Sequence, residues 1–212
     1  MAGTPQTPDS ATPGLRERNK AEKRQRIRSA ARELFAEHGY EEATMRQIAR
    51  RAGVALGTLF HYAQDKRDLI FLIFNEELAL VTEQALQAPQ PDQTFLDQLL
   101  AVFATHYYFF GREPVLSRIL LRELLFYSEG VQAGEFLGIR GQLMTGITEV
   151  VRSAQAAGSI VRDQDAGLIA RSIFFVFSGH IRWWIASPVP RPFTGLADLK
   201  QMLGLQITGL QI

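Results

Sequence analysis

Between Lys20 and Leu210 the apolar residues recur at intervals of three and four, and no stretch alternates apolar with polar between hairpin turns. A strand needs period two and an amphipathic helix period 3.6, so this pattern confines the chain to an all-α fold. The spacing predicts a helix over Lys20–Glu37 with Ile27, Ala30, Ala31, Leu34 and Phe35 inward, stopped at His38-Gly39. A short helix begins at Thr44, buries Ile48, Ala49 and Ala52, and ends at Gly53; another runs from Leu56 to about Tyr62 with Leu59 inward. Asp65 and Asp68 cap a fourth, apolar from Leu69 to Val81, before the break Ala-Pro-Gln-Pro-Asp at 88–92. Five more follow: Phe95 to Phe110, Pro114 to Leu125, Phe136 to Val151, Asp163 to Ala186, and Leu196 to Leu210. About nine helices result.

Composition removes several functions. There is no cysteine, which excludes a disulfide scaffold, a thiolate zinc site and a cysteine nucleophile, and suits a reducing cytoplasm. Residues 1–15 are rich in Pro, Thr and Ser without a secretory apolar core, and read as a disordered leader. The most apolar run, Leu168–Ser187, carries Arg171, His180 and Arg182, which argues against a membrane span and for a soluble chain. The histidines form no i,i+4 ligand pair, and no GxSxG, phosphate loop or Glu-x-x-His is present. No catalytic residue, metal ligand or cofactor is assigned. His106 with Glu123 is the one combination suggesting a metal, against the plainer reading of an interior, hydrogen-bonded histidine.

Charge is uneven. Residues 1–68 hold 13 Lys/Arg against 9 Asp/Glu, and the rest of the chain holds 10 against 13. From Arg16 to Arg32 there are 8 basic residues against 2 acidic ones. Beside that basic run stands a two-helix unit. Thr44-x-x-Gln47 has the form of a capping box. A turn containing Gly53 then joins two short helices, and small Ala49 and Gly53 allow a close crossing. This is the helix-turn-helix pattern, although a helical hairpin inside an all-α core gives the same glycine and alanine positions.

The order LFAEHGYEEATMRQIARRAGVALGTLFHYAQDKRDL resembles the DNA-binding segment of TetR/AcrR-type transcriptional regulators, over roughly residues 24–72. Carrying the resemblance are Gly39-Tyr40, Thr44, Ile48-Ala49, Ala52-Gly53-Val54, Gly57-Thr58-Leu59, Tyr62, and Lys66 before Leu69. It implies a leader (1–15), a helix-turn-helix domain (16–68) and a helical effector-binding and dimerisation domain (69–212) in a cytoplasmic homodimer. Such a dimer binds a palindromic operator on double-stranded DNA, as a repressor released by a small hydrophobic or aromatic effector.

By the same resemblance Thr44 and Lys66 contact phosphates, Arg46 reaches a base edge in the major groove, and Thr58 faces that groove. Leu56, Gly57, Phe60, His61 and Tyr62 complete the interface, and Arg24 and Arg28 of the basic run neutralise phosphates. Three positions depart from the family. Phe60 replaces a phosphate-bonding tyrosine, Ala55 a polar cap, and Ala63 a phenylalanine. The alternative reading is an effector-independent DNA-organising protein of the same fold.

In the second part, AVFATHYYFF at 101–110 carries more aromatic surface than one packed centre absorbs. By the same resemblance an effector pocket is expected there, lined by Phe103, His106, Tyr107, Phe110, Phe126, Tyr127, Phe177 and Trp184, with Arg118 and Arg122 as anchors for an anionic group. Ile173–Phe177 is apolar all round, so one side of that helix is expected to meet a partner subunit.

Overall fold

The computed structural model describes residues 14–209. Among them lie nine α-helices, one 3₁₀ turn and no strand. They are α1 (Leu15–His38), α2 (Met45–Arg51), α3 (Leu56–Phe60), α4 (Lys66–Gln87), α5 (Phe95–Arg112), α6 (Pro114–Glu123), α7 (Ala133–Ala156), α8 (Ala166–Ile185) and α9 (Pro192–Thr208). Leu124–Phe126 forms the 3₁₀ turn. Residues 1–13 of the expected leader, and Leu210, lie outside the described residues; α1 already begins at Leu15.

Local chemistry sets the helix ends. Thr44 Oγ1 accepts from the Gln47 N–H at 3.2 Å while the Gln47 side chain accepts from the Thr44 N–H at 2.8 Å, completing the capping box of α2. Gly53 then turns the chain at φ +62°, a left-handed conformation that favours glycine. Asp65, Thr94 and Asp165 cap α4, α5 and α8 through their side chains, and prolines open α6 and α9. The apolar pattern through Leu125 predicted a longer α6. The helix instead tightens into the 3₁₀ turn after Glu123, and this rotation leaves Phe126 exposed.

Helices α1–α3 close on a small core of Ile27, Leu34, Phe35, Ile48 and Leu59, all buried. Their close partner is the start of α4, where Asp68–Asn75 are buried without a break, so this helix is covered on every side. Around the rest of α4 pack α5 and α7, with α8 and α9 completing a second, larger core.

Candidate nucleic-acid interface and interior cavity

Helices α2 and α3 meet in the bend of a helix-turn-helix, and the capping box gives α2 an ordered, exposed N-terminus at Thr44. Arg46, Arg50, Gly57, Phe60 and His61 are exposed, and Leu56, Thr58 and Tyr62 are half-buried. No carboxylate lies within 4.0 Å of Arg46 or Arg50 among the described residues. Ala55 makes no side-chain cap, so the first N–H groups of α3 are open. Ala63 is fully buried where the family has a larger ring.

Other expected contacts are engaged within the chain. Lys66 Nζ donates to the carbonyls of Tyr40 (2.8 Å) and Glu41 (2.7 Å) and lies 5.0 Å from the Tyr40 ring centroid, clamping the α1–α2 loop. Tyr62 donates its hydroxyl to the Lys20 carbonyl, and its own carbonyl accepts from Gln132.

Arg24 and Arg28 are the expected contacts most fully engaged within the chain. Arg24 pairs with Glu135 of α7 at 3.1 Å. Arg28 pairs with Glu76 and Glu77 and donates to the Ile73 carbonyl at 3.0 Å, leaving its side chain 11% exposed. Burial lowers its pKa. Together with Arg32, which reaches Glu77 and Glu113, these residues stand at i, i+4 and i+8 beside the buried stripe of α1 and face the acids of α4–α7. That spacing, with Glu76-Glu77 downstream, was the available sequence signal. Lys20, Lys23 and Arg26, on other parts of α1, are exposed and carry the basic surface instead.

The interior cavity lies among α4 to α8. It is narrow and almost wholly apolar, with a volume of about 70 Å³. Of the expected lining only His106, Phe110 and Phe177 belong to it. Phe103 stacks behind Phe177 at 4.2 Å between ring centroids. The Tyr107 hydroxyl shares a hydrogen bond with His180 Nδ1, and its ring packs on Trp184, which lies against α9. Tyr127 stacks on Phe71 and bonds to Asp68. Phe126 points to solvent. Arg118 fastens the end of α8 through the carbonyls of Ile185 and Ser187, while Arg122 reaches Glu41 and Glu123 across to the small core. Glu123 thus belongs to an arginine cluster and not to a metal site with His106. Sequence reasoning missed Thr82 on α4, Phe136 on α7, and the two arginines of this cavity, Arg140 and Arg182.

Arg182 binds the Leu121 carbonyl and Ser178, and burial lowers its pKa. Arg140 also borders a second groove, on the outer face of α7 and α8, that holds Arg152 and Arg171. No carboxylate lies within 4.0 Å of Arg140 or Arg171 among the described residues. Arg152 is paired with Glu149, while Arg140 and Phe174 border both the apolar interior and this outer groove. His106 is fully enclosed; burial lowers its pKa to about 4, so the imidazole is neutral at ordinary pH.

A helix-turn-helix head with open cations, set on a larger helical bundle around an apolar cavity, defines a DNA-binding regulator of transcription. Residues 27–73 match the family model of bacterial regulatory proteins, tetR family. The fatty acid metabolism regulator protein of Bacillus subtilis is 25% identical over 196 residues, covering 91% of this chain and 98% of that one. The fold is shared with Thermus thermophilus FadR, a TetR-family repressor solved in complex with lauroyl-CoA (TM-score 0.68, 23% identity, 89% and 95% coverage). It is shared also with Bacillus subtilis FadR in complex with stearoyl-CoA (TM-score 0.65, 22% identity, 88% and 99% coverage). Residues 27–73 are thus similar to the DNA-binding segment of the bacterial tetR regulatory proteins, and the chain as a whole shares the fold of TetR-family regulators.

Proposed function

We propose that this protein is a transcriptional repressor that binds a palindromic operator as a homodimer and releases it when an acyl-CoA enters the cavity of α4–α8. Residues 16–68 serve as the reading head and 69–212 as the effector and dimerisation unit, in the cytoplasm where the operator lies. The observation that carries the effector class is the apolar cavity opening beside Arg140 and next to a groove with Arg152 and Arg171. A long apolar chain with a phosphorylated end suits both halves. The relatives solved with lauroyl- and stearoyl-CoA support it. A cavity of this kind also favours effector control over an effector-independent DNA-organising role.

Arg46 and Thr58 are the reading residues in this proposal, with Thr44, Arg50 and the exposed cations of α1 on phosphates. Leu56, Gly57, Phe60 and His61 complete the face laid against the duplex. Arg24 and Arg28 instead tie the head to the bundle.

The dimer face is the exposed apolar surface of α8 and α9: Leu168, Phe175 (69% exposed), Trp183, Met202 and Leu205 (81% exposed). Large apolar side chains concentrated on two adjacent helices mark an interaction surface. Twofold pairing there is isologous and matches a palindrome. The test is mobility shift with DNA flanking the protein's own gene, with and without lauroyl-CoA, alongside the sedimentation of Phe175→Glu. A wild type that sediments as a monomer, or a specific complex unmoved by saturating acyl-CoA, contradicts this function.

A further inference from the structure

Of the polar residues that line the cavity, Arg182 and Ser178 bond to each other, and two others are left without partners. Thr82 of α4 and His106 of α5 both line it, both are buried, and Thr82 Oγ1 and His106 Nε2 have no hydrogen-bond partner. The two helices pack directly on each other. Buried polar atoms without partners are uncommon and costly, so two on one cavity wall require an explanation.

The histidine tautomer follows from its contacts. Nδ1 stands 3.3 Å from the Val102 carbonyl, one helical turn back on α5, and 3.5 Å from the Thr105 hydroxyl, whose own proton goes to that carbonyl. A carbonyl only accepts, so the proton sits on Nδ1. Neutral and deprotonated at Nε2, the ring offers the cavity an acceptor. Thr82 offers a hydroxyl, which both donates and accepts.

Only some chemical groups satisfy that pair. A methylene leaves both atoms unmade. A ketone oxygen accepts from Thr82 but turns a lone pair on Nε2. A hydroxyl donates to His106 Nε2 and accepts from Thr82 Oγ1. We infer that the effector is an acyl group bearing a hydroxyl along its apolar chain, and that His106 and Thr82 select for it. This rests on the acyl-CoA reading above and narrows it. Phe177, edge-on to the imidazole at 5.7 Å between centroids, holds the ring in place.

The test is a matched panel on the full-length dimer bound to its operator: lauroyl-CoA, its monohydroxy isomers scanned along the chain, and the ketone at each corresponding carbon. Affinities come from DNA release by fluorescence anisotropy and from calorimetry on the free protein. One hydroxy isomer is expected to bind about tenfold tighter than lauroyl-CoA, and its ketone counterpart no tighter than lauroyl-CoA. Thr82→Val and His106→Phe are each expected to bring the hydroxy-to-lauroyl ratio close to one. Thr82→Val preserves side-chain shape and keeps the test decisive should His106→Phe fold poorly.

If lauroyl-CoA releases DNA while no hydroxy isomer exceeds it, the two polar atoms hold only a water and this inference is overturned, leaving the acyl-CoA repressor intact. A hydroxyl preference that survives both substitutions also overturns it. If every member of the panel leaves the operator bound, both readings fall together.

Discussion

Asp68 is fully buried and forms no ion pair among the described residues. Its carboxylate instead accepts four hydrogen bonds. Oδ2 takes the N–H groups of Gln64 (2.9 Å) and Val131 (2.8 Å); Oδ1 takes the Gln132 N–H (3.0 Å) and the Tyr127 hydroxyl. One donor lies just before α4, and the other three belong to the loop between α6 and α7. Asp68→Ala removes all four bonds and leaves four donors with no acceptor. At roughly 1 kcal/mol for each lost bond, the change destabilises the fold by about 4 kcal/mol, the range seen when a buried charge arrangement is broken. Asp68→Asn keeps one acceptor oxygen but turns an NH₂ group toward two of the donors, costing about 2 kcal/mol. Tyr127→Phe deletes one bond at about 1–1.5 kcal/mol while keeping the stack on Phe71. Urea unfolding of the three variants should rank them in that order. An Asp68→Ala protein within about 1 kcal/mol of wild type would refute the reasoning.

The neighbouring predictions use other parts of the molecule. Arg46→Ala should weaken specific operator binding by about 1–3 kcal/mol and relax discrimination at one position, whereas Arg28→Ala should act on stability and leave sequence preference unchanged; competition binding with point-mutated operators separates the two. His106, with its pKa lowered to about 4 by burial against 6.5 when exposed, binds its proton more readily in the unfolded chain. Its contribution is therefore intact above about pH 6.5 and is lost as pH falls toward 4, up to about 3 kcal/mol, so wild type should lose more stability over that interval than His106→Phe in denaturant titrations. A Cβ at Gly195 would stand 2.6 Å from Trp184 Cδ1 and 2.7 Å from Tyr107 Cε1. Gly195→Ala should accordingly lower stability by about 1–3 kcal/mol through overpacking, read as a lower melting temperature.

Why the head was legible and the cavity was not follows from where their information resides. Thr44, Gln47 and Gly53 act on residues a few positions away, so spacing along the chain carries most of their geometry. The cavity depends on how five helices are rotated against one another, and no single helix records that. On α5, Phe103 and Tyr107 pack toward α8 and α9, while His106 and Phe110 line the opening; all four are buried and share one apolar pattern. Arg118 and Arg122 read as anchors because they interrupt an apolar helix, but carbonyl groups at the end of α8 and acids near Tyr40 claim them first. Phe126 was misplaced because nothing between Glu123 and Gly130 marks a helix stop in sequence.

The same geometry determines how events in the cavity reach the head. Leu78 and Thr82 form part of the cavity wall on α4, and Asp68 lies 14 residues earlier on that helix, about 21 Å along a rigid rod. The loop that Asp68 holds runs from α6 to α7, and each of these helices also lines the cavity, through Leu121 and through Phe136 and Ile139. Cavity and head are thus joined twice, once along α4 and once through the loop. Gln132 ties the second connection directly to the head by donating to the Tyr62 carbonyl at 2.8 Å, while its own carbonyl accepts from Asn75. Under the proposed function, a ligand that widened this narrow cavity would move α6 or α7 relative to α4, and the Asp68 cluster would bear that difference. Coupling between the sites is limited by the ligand's preference for the widened state, and strain at Asp68 determines how much of it arrives at α2 and α3. Weakening the cluster with Tyr127→Phe, the mildest of the three changes, should therefore lower the fold-change in operator affinity produced by lauroyl-CoA while leaving affinity for lauroyl-CoA in the absence of DNA nearly unaltered.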